Sequence, residues 1–256
     1  MNLQATATVR RKPVKEQVYD VLHESILAGR FSAGEWLRQE DIAARLGVSM
    51  TPVREALDLL VSSGLAERVP YRGVRIRNPS VPDILDSYCM RLLLEGVAAF
   101  AAAEKINRLQ LADLRDLLSR GKGLIALSDM PDERALSREL HSAIVAASGN
   151  RLLHKTYLTI LNTFPDWMLY EHLYRQPELL AESMQTEHRE HRLIVEALES
   201  RHPSLAVERT IEHMRSRGRE LEAYLGISAE SLHAQEALVL PLLQGIREQA
   251  IQKEPV

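Results

Sequence analysis

The residues best suited to chemistry in this chain fall into two sets. In the first, Ser49-Met50-Thr51-Pro52-Val53-Arg54 heads a segment with helical apolar spacing, so a hydroxyl and a guanidinium lie within a turn of a helix start. Ser49 suits the N-cap, and Pro52 suits a first turn, where its missing N–H costs nothing. Such groups at a helix N-terminus can bond phosphates and base edges, Arg doing so bidentately to guanine, when the helix enters the major groove. The second set is the nine histidines. Neutral imidazole is the commonest nitrogen ligand for zinc-like ions, although a lone histidine is more often a packed or exposed residue. The one cysteine, Cys89, can form no internal disulfide and reads as a small apolar residue on a helix.

These residues need elements to hold them. A chain of 256 residues with 45% hydrophobic content suits two modest domains, and 5% aromatics alongside abundant Leu, Ala, Glu and Arg predicts a mainly α fold. Val14, Val18, Val21, Leu22 and Ile26 mark a first helix capped by Gly29. After the turn FSAGEW, a second helix runs from about Gln39 to Leu46 with Ile42, Ala43 and Leu46 inward, ending at Gly47. Val53, Ala56, Leu57 and Leu60 give the third helix one apolar face, ending before Gly64. Leu65 to Val69 and Val74 to Arg77 then form a hairpin around Pro70-Tyr71-Arg72-Gly73. Three helices and a hairpin make a winged helix-turn-helix over residues 1–78.

Residues 79–82 read as a stiff proline-bearing linker. Helices are expected over 83–104, 108–127, 132–148, 151–163, 166–175, 178–200 and 204–225, an all-α bundle spanning 83–226. Residues 227–256 form a helical extension with Pro241 inside, which should kink or split it.

Net charge is −3, but residues 1–80 hold 12 Lys and Arg against 9 Asp and Glu, whereas the remainder holds 20 against 26. The basic end is the one suited to phosphates. No run of eighteen apolar residues occurs and no apolar stretch follows the basic start, so neither a membrane span nor a signal peptide is expected, and the cytoplasm is the expected compartment.

Residues 14 to 77 resemble the DNA-binding domain of the GntR family of regulators, through the turn Leu46-Gly47-Val48-Ser49, the helix start Thr51-Pro52-Val53-Arg54-Glu55-Ala56-Leu57 and the Arg72-Gly73 wing tip. The resemblance implies contacts to double-stranded DNA by Ser49, Thr51, Pro52, Arg54, Arg72 and Gly73. Taken singly, Arg54 is a solvated helix charge, Thr51 a cap residue and Pro70 to Gly73 an ordinary turn. Their joint order within a basic segment favours the DNA reading. Two positions depart from the family pattern: Met50 stands where Arg is usual, and Glu40 where a basic residue is frequent. One winged helix offers few contacts, so a homodimer reading a palindromic operator is expected.

The C-terminal part resembles the all-helical effector-binding domain of the FCD branch of that family, through Arg91 to Glu95, Leu140-His141 with Ala147-Ser148-Gly149-Asn150, His191 to Leu198 and His213-Met214. His191 and His213 are 22 positions apart, which matches the family's spacing. The resemblance implies a small carboxylate effector and a divalent metal on His141, His191 and His213, three helices converging as in bundle-core sites. His188, one turn before His191, is either a spare ligand or exposed. Ser137 stands where the family has an Asp ligand, which leaves a neutral three-His set with positions open to water or effector and favours zinc or a nickel-like transition ion over calcium or magnesium. Ser137 and Arg91 are the candidate effector contacts, with a salt bridge to Glu95 an equal alternative for Arg91.

The expected function is a DNA-binding regulator, a repressor, in which the effector shifts a dimer between geometries that fit and do not fit two half-sites. A metal-free regulator is one alternative, given Ser137. A zinc-dependent hydrolase is another, opposed by the DNA-binding segment and by the lack of an acid/base residue tied to the histidines.

Overall fold

The computed structural model describes residues 12–27, 30–164 and 166–251, so the expected cap at Gly29 lies outside the described residues. The chain divides into two compact units, Met1–Asn78 and Pro79–Val256.

The first unit contains α1 (Val14–Leu27), β1 (Trp36–Leu37), α2 (Gln39–Leu46), α3 (Met50–Ser62), β2 (Ala66–Val69) and β3 (Gly73–Ile76). Val18, Leu22 and Ile26 of α1 are buried, as are Val53, Ala56, Leu57 and Leu60 of α3, and α1 and α3 pack together. Val14 and Val21, counted with the same face of α1 from sequence, are 48% and 44% exposed. Gly47 ends α2 in the left-handed region at φ 66°, where its N–H bonds the carbonyl of Ala43. The expected turn FSAGEW is in part a strand. Trp36 and Leu37 pair antiparallel with Arg75 and Val74, giving a three-stranded sheet in the order β1-β3-β2. Two residues are too few to show an alternating pattern, but Leu37 is buried and Trp36 is not, as the pleat requires.

The second unit consists of α4 (Val81–Lys105), α5 (Arg108–Gly121), a 3-10 turn (Leu127–Asp129), α6 (Met130–Ala147), α7 (Arg151–Thr163), α8 (Asp166–Arg175), α9 (Pro177–Glu199), α10 (Pro203–Leu225) and α11 (Ala229–Ile251). Val81 and Pro82, expected in the linker, belong to α4. Ser80 is its N-cap, in a reciprocal capping box with Asp83, and proline is tolerated in a first turn. The 108–127 helix stops at Gly121, where Gly123 turns the chain at φ 89°. Ser148-Gly149-Asn150 is the α6–α7 turn, with the Asn150 side chain capping Leu152 and Leu153 N–H.

Helix α4 is the hub, packed by α6, α7, α9, α10 and α11. Ala98, Ala99, Ala102 and Ala103 are fully buried along it, and such small side chains let neighbouring helices approach. Cys89 is buried in the cluster that α4 shares with α10 and α11. The C-terminal segment is therefore part of the core: Leu232, Val239 and Leu243 of α11 are buried there, and Tyr88 Oη donates to Glu236 Oε1 at 2.8 Å. Helix α11 continues through Pro241, which has no N–H for the helix ladder. A Cβ on Gly96 would meet the end of the Leu243 side chain at 2.7 Å, so Leu243 in its present rotamer packs directly on the bare backbone of α4.

Leu243→Ala should therefore cost about 2–5 kcal/mol in urea unfolding, the range for a buried leucine truncation. Leu238→Ala, on the 66% exposed side of the same helix, should stay within about 0.5 kcal/mol. Equal effects of the two would mean that α11 does not pack as described.

Candidate functional site

In the winged unit the chemistry sits on the surface of an apolar scaffold. Val53, Ala56, Leu57 and Leu60 hold α3 from below, while Ser49, Met50, Thr51 and Arg54 are exposed and Pro52 is half-buried. Ser49 occupies the N-cap with extended backbone but makes no side-chain capping bond. The helix start thus presents hydroxyls, a guanidinium and unpaired backbone N–H groups, a combination that attracts phosphate. Glu40 is exposed on α2. In the wing, Val69 pairs with Gly73, which leaves Pro70, Tyr71 and Arg72 at the tip. Gly73 has φ 111°, and Tyr71 takes the left-handed region at φ 61° with its side chain fully exposed. The Arg72 and Arg75 guanidinium groups lie 5.1 and 5.8 Å from the centre of the Trp36 ring.

In the helical unit, His141 of α6, His191 of α9 and His213 of α10 come together, all buried, with one ring nitrogen from each within 4.8 Å of the others. His141 Nε2 and His191 Nε2 are 3.0 Å apart. His188 is half-buried and is not in the cluster. Three carboxylates surround the set, against the expectation that no acid/base residue is tied to it. Glu95 Oε2 of α4 lies 2.9 Å from His141 Nδ1. Glu190 Oε2 lies 3.0 Å from His213 Nδ1, and Glu187 Oε1 lies 3.7 Å from His191 Nε2. Sequence reading named Glu95 only as a partner for Arg91 and missed Glu187 and Glu190. Glu187 and His191, four residues apart, share a face of α9, a usable signal; Glu190 adjoins His191 in sequence yet serves His213 on another helix.

The donor set fits a divalent transition metal on two observations. Carboxylates hold Nδ1 of His141 and His213, the outer-shell arrangement that turns Nε2 toward an ion, and the buried Nε2 of His213 has no hydrogen-bond partner. Burial, followed by the neighbouring His141, pushes His191 down to about 3. Burial, then His191, holds His213 well below its ordinary value. Both rings are therefore neutral, the form that binds metal.

A cavity adjoins the histidines, lined by four arginines and two glutamates among its other residues. Arg91 and Ser137, the two expected effector contacts, both line it. Arg91 Nε also pairs with Glu95 Oε1 at 2.9 Å, so the salt bridge expected as its alternative role is present. Ser137 Oγ donates to Glu187 Oε1 at 2.8 Å. Sequence reading missed Arg134 and Arg217. Arg134 is buried with Nε unpartnered, and Arg217 pairs with Glu187 and Glu220 yet leaves Nε and Nη2 unpartnered. Buried guanidinium N–H groups without acceptors are the polar points that an anion would satisfy.

Comparison with known proteins places these sites in context. Residues 14–76 match the model for bacterial regulatory proteins of the gntR family, and residues 86–216 match that for the FCD domain. The chain is 30% identical over 236 residues to a probable D-xylose utilization operon transcriptional repressor of Paenarthrobacter nicotinovorans, covering 90% of this chain and 95% of that protein. It is 27% identical over 202 residues to the HTH-type transcriptional repressor RspR of Escherichia coli, covering 78% and 85%. The solved structure of Escherichia coli McbR/YncC superposes with a TM-score of 0.59 at 22% identity over 84% of this chain and all of that one, a likeness of fold. No helix among the described residues is long and apolar enough to cross a membrane.

The buried titratable groups set the response to acid. Burial alone would raise the carboxyl of Glu95, but His141 and Arg91 outweigh it and hold it well below the usual range. Glu187 is likewise lowered to about 2, chiefly by Arg217 against its own desolvation. These four groups bind fewer protons folded than unfolded, so their contribution to stability falls as pH falls, while Glu190 and Glu220, both raised chiefly by burial, oppose it in the carboxylate range. In metal-free protein the loss should begin below about pH 6.5, where unfolded histidine protonates, and steepen below about pH 4.5 as the carboxylates join. The urea midpoint followed from neutral pH downward tests this, and a midpoint unchanged between about pH 7 and pH 4 would sink it.

Proposed function

The chain belongs to the gntR family of bacterial regulatory proteins and carries the FCD domain, and on that premise we propose that it is a homodimeric repressor whose hold on a palindromic operator is set by a small carboxylate bound beside a His-held divalent metal. DNA-binding transcription regulation is the family's function, and the zinc-hydrolase alternative falls with it. The observation that carries the effector part is the cavity in which buried Arg134 and Arg217 have unpartnered N–H groups next to the three histidines. An organic anion would complete those hydrogen bonds and reach an ion on the histidines.

His141, His191 and His213 would hold zinc or a nickel-like ion, with Glu95 and Glu190 fixing two of the rings. Such an ion supplies a positive Lewis-acidic point for a carboxylate. Thr51, Arg54 and the head of α3, with Ser49, Pro52 and the Arg72-Gly73 wing, would meet the DNA in the cytoplasm. A dimer supplies two copies of that surface to two half-sites. Switching requires the effector to bind one dimer geometry better than the other.

A metal-free version has one observation in its favour: the 3.0 Å approach of His141 Nε2 to His191 Nε2 is also a good hydrogen bond, which closes the network without an ion. Metal content of protein purified without chelator separates the two, at about one equivalent per chain for the metal reading.

In gel shifts with the DNA upstream of its own reading frame, Arg54→Ala should weaken binding about tenfold or more, the scale of one lost bidentate base contact. Titrating organic acids should release the wild-type complex. Arg54→Ala binding as tightly as wild type, or a complex indifferent to every acid and metal tried, would overturn the corresponding half of the proposal.

A further inference from the structure

We infer that Glu187 is a metal ligand, a fourth and anionic donor beside His141, His191 and His213. This rests on the metal reading above and adds a residue to it.

The three carboxylates around the histidines are not equivalent. Glu95 and Glu190 approach the Nδ1 atoms of His141 and His213, the opposite edge of each ring from Nε2, so they orient the rings. Glu187 Oε1 instead approaches Nε2 of His191, at 3.7 Å, and that same Nε2 is 3.0 Å from Nε2 of His141. Donors bound at about 2.0–2.1 Å around a tetrahedral ion lie roughly 3.3–3.4 Å from one another. The two observed separations bracket that edge, so Glu187 Oε1 stands within a few tenths of an ångström of ligand spacing from His191 Nε2, beside a set whose three histidine donors lie within 4.8 Å of one another.

The carboxylate is also held for the task. It is buried, Ser137 Oγ donates to Oε1 at 2.8 Å, and Arg217 Nη1 donates to Oε2 at 3.0 Å. Each oxygen still has a lone pair free, since an ionised carboxylate accepts at about four sites. The hydroxyl of Ser137, one helical turn before His141 on α6, touches the oxygen that faces His191. A carboxylate at position 137 would therefore compete for the space that the Glu187 carboxylate fills. On this inference α9 adds one negative charge to the neutral three-His set expected from sequence.

The test uses the full chain stripped with chelator and then titrated with zinc against a chromophoric competitor, with the visible spectrum of the cobalt-substituted protein as a second readout. Wild type should take up one ion per chain. Glu187→Gln, which keeps the shape and can still bond Ser137, should bind zinc about tenfold or more weaker, at least the loss that follows removal of an outer-shell partner, and should shift the cobalt bands. Glu187→Gln with wild-type affinity and an unchanged cobalt spectrum, while His191→Ala loses the metal, would overturn the inference and leave the three-histidine site standing. A wild-type chain that takes up no ion would overturn the metal reading and Glu187 with it.

Discussion

The helical unit is organised around a carboxylate that cannot stand alone. Glu95 is 3% exposed in the middle of α4, and an uncompensated charge at such a depth costs several kcal/mol even after the protein relaxes. Arg91 pairs with it one turn earlier, Tyr157 of α7 donates to it at 3.1 Å, and His141 of α6 approaches it at 2.9 Å. Those partners come from three helices, so α4, α6 and α7 have one register in which the charge is satisfied. His141 carries the same constraint on to His191 of α9 and, through ring contact at 5.0 Å, to His213 of α10. Apolar packing supplies the burial, through one cluster that joins α4 to α10 and α11 and another that joins it to α5, α6 and α9. Leucine and alanine surfaces tolerate small slips in register. A chain of buried polar groups tolerates them far less, because each slip strands a charge.

The winged unit follows the opposite logic. Its interior is aliphatic apart from His23, which lies against Tyr19, and its useful groups are pushed outward by what packs beneath them. Val53, Ala56, Leu57 and Leu60 recur at helical spacing on one side of α3, so Thr51 and Arg54 fall on the solvent side. The wing depends on backbone more than on side chains, with Tyr71 and Gly73 both in the left-handed region at its tip.

How far the sequence revealed this follows from the range of the interactions involved. Helices were legible because 3.6-residue periodicity is local, and the buried faces of α2 and α3 lie where Ile42, Ala43, Val53 and Leu60 placed them. The two-residue β1 was not, since pairing with Arg75 and Val74 is a contact across almost forty residues of chain. Ser80-x-x-Asp83 was legible as a cap and was obscured by the prolines flanking it. At the histidine cluster the three rings stood out by type and spacing. Their carboxylates did not, because Glu187 and Glu190 occur in Glu187-His188-Arg189-Glu190-His191-Arg192, which has the texture of a solvated helix face. Only the packing of α9 against α10 turns two of those charges inward.

The cavity beside the histidines shows where the fold accepts a penalty. Arg217 is buried and is held charged by Glu187 and Glu220, yet two of its nitrogens face no acceptor; Arg134 nearby has a third such nitrogen. A buried donor without a partner costs about 1–3 kcal/mol, and more when the group is charged. An apolar cluster of the same volume would be cheaper, so the free chain gives up stability at this point. An anion that filled the three donors would recover that stability in whichever conformation aligned them. A ligand moves a conformational equilibrium only by its differential affinity, and donors on two helices, Arg134 on α6 and Arg217 on α10, would differ in spacing between two arrangements of those helices. Arg217 lines the cavity and pairs with Glu187 next to His191. Whatever anion bonds Arg217 therefore acts on the electrostatics of the histidine centre, and an ion there acts back on the anion by the same free energy.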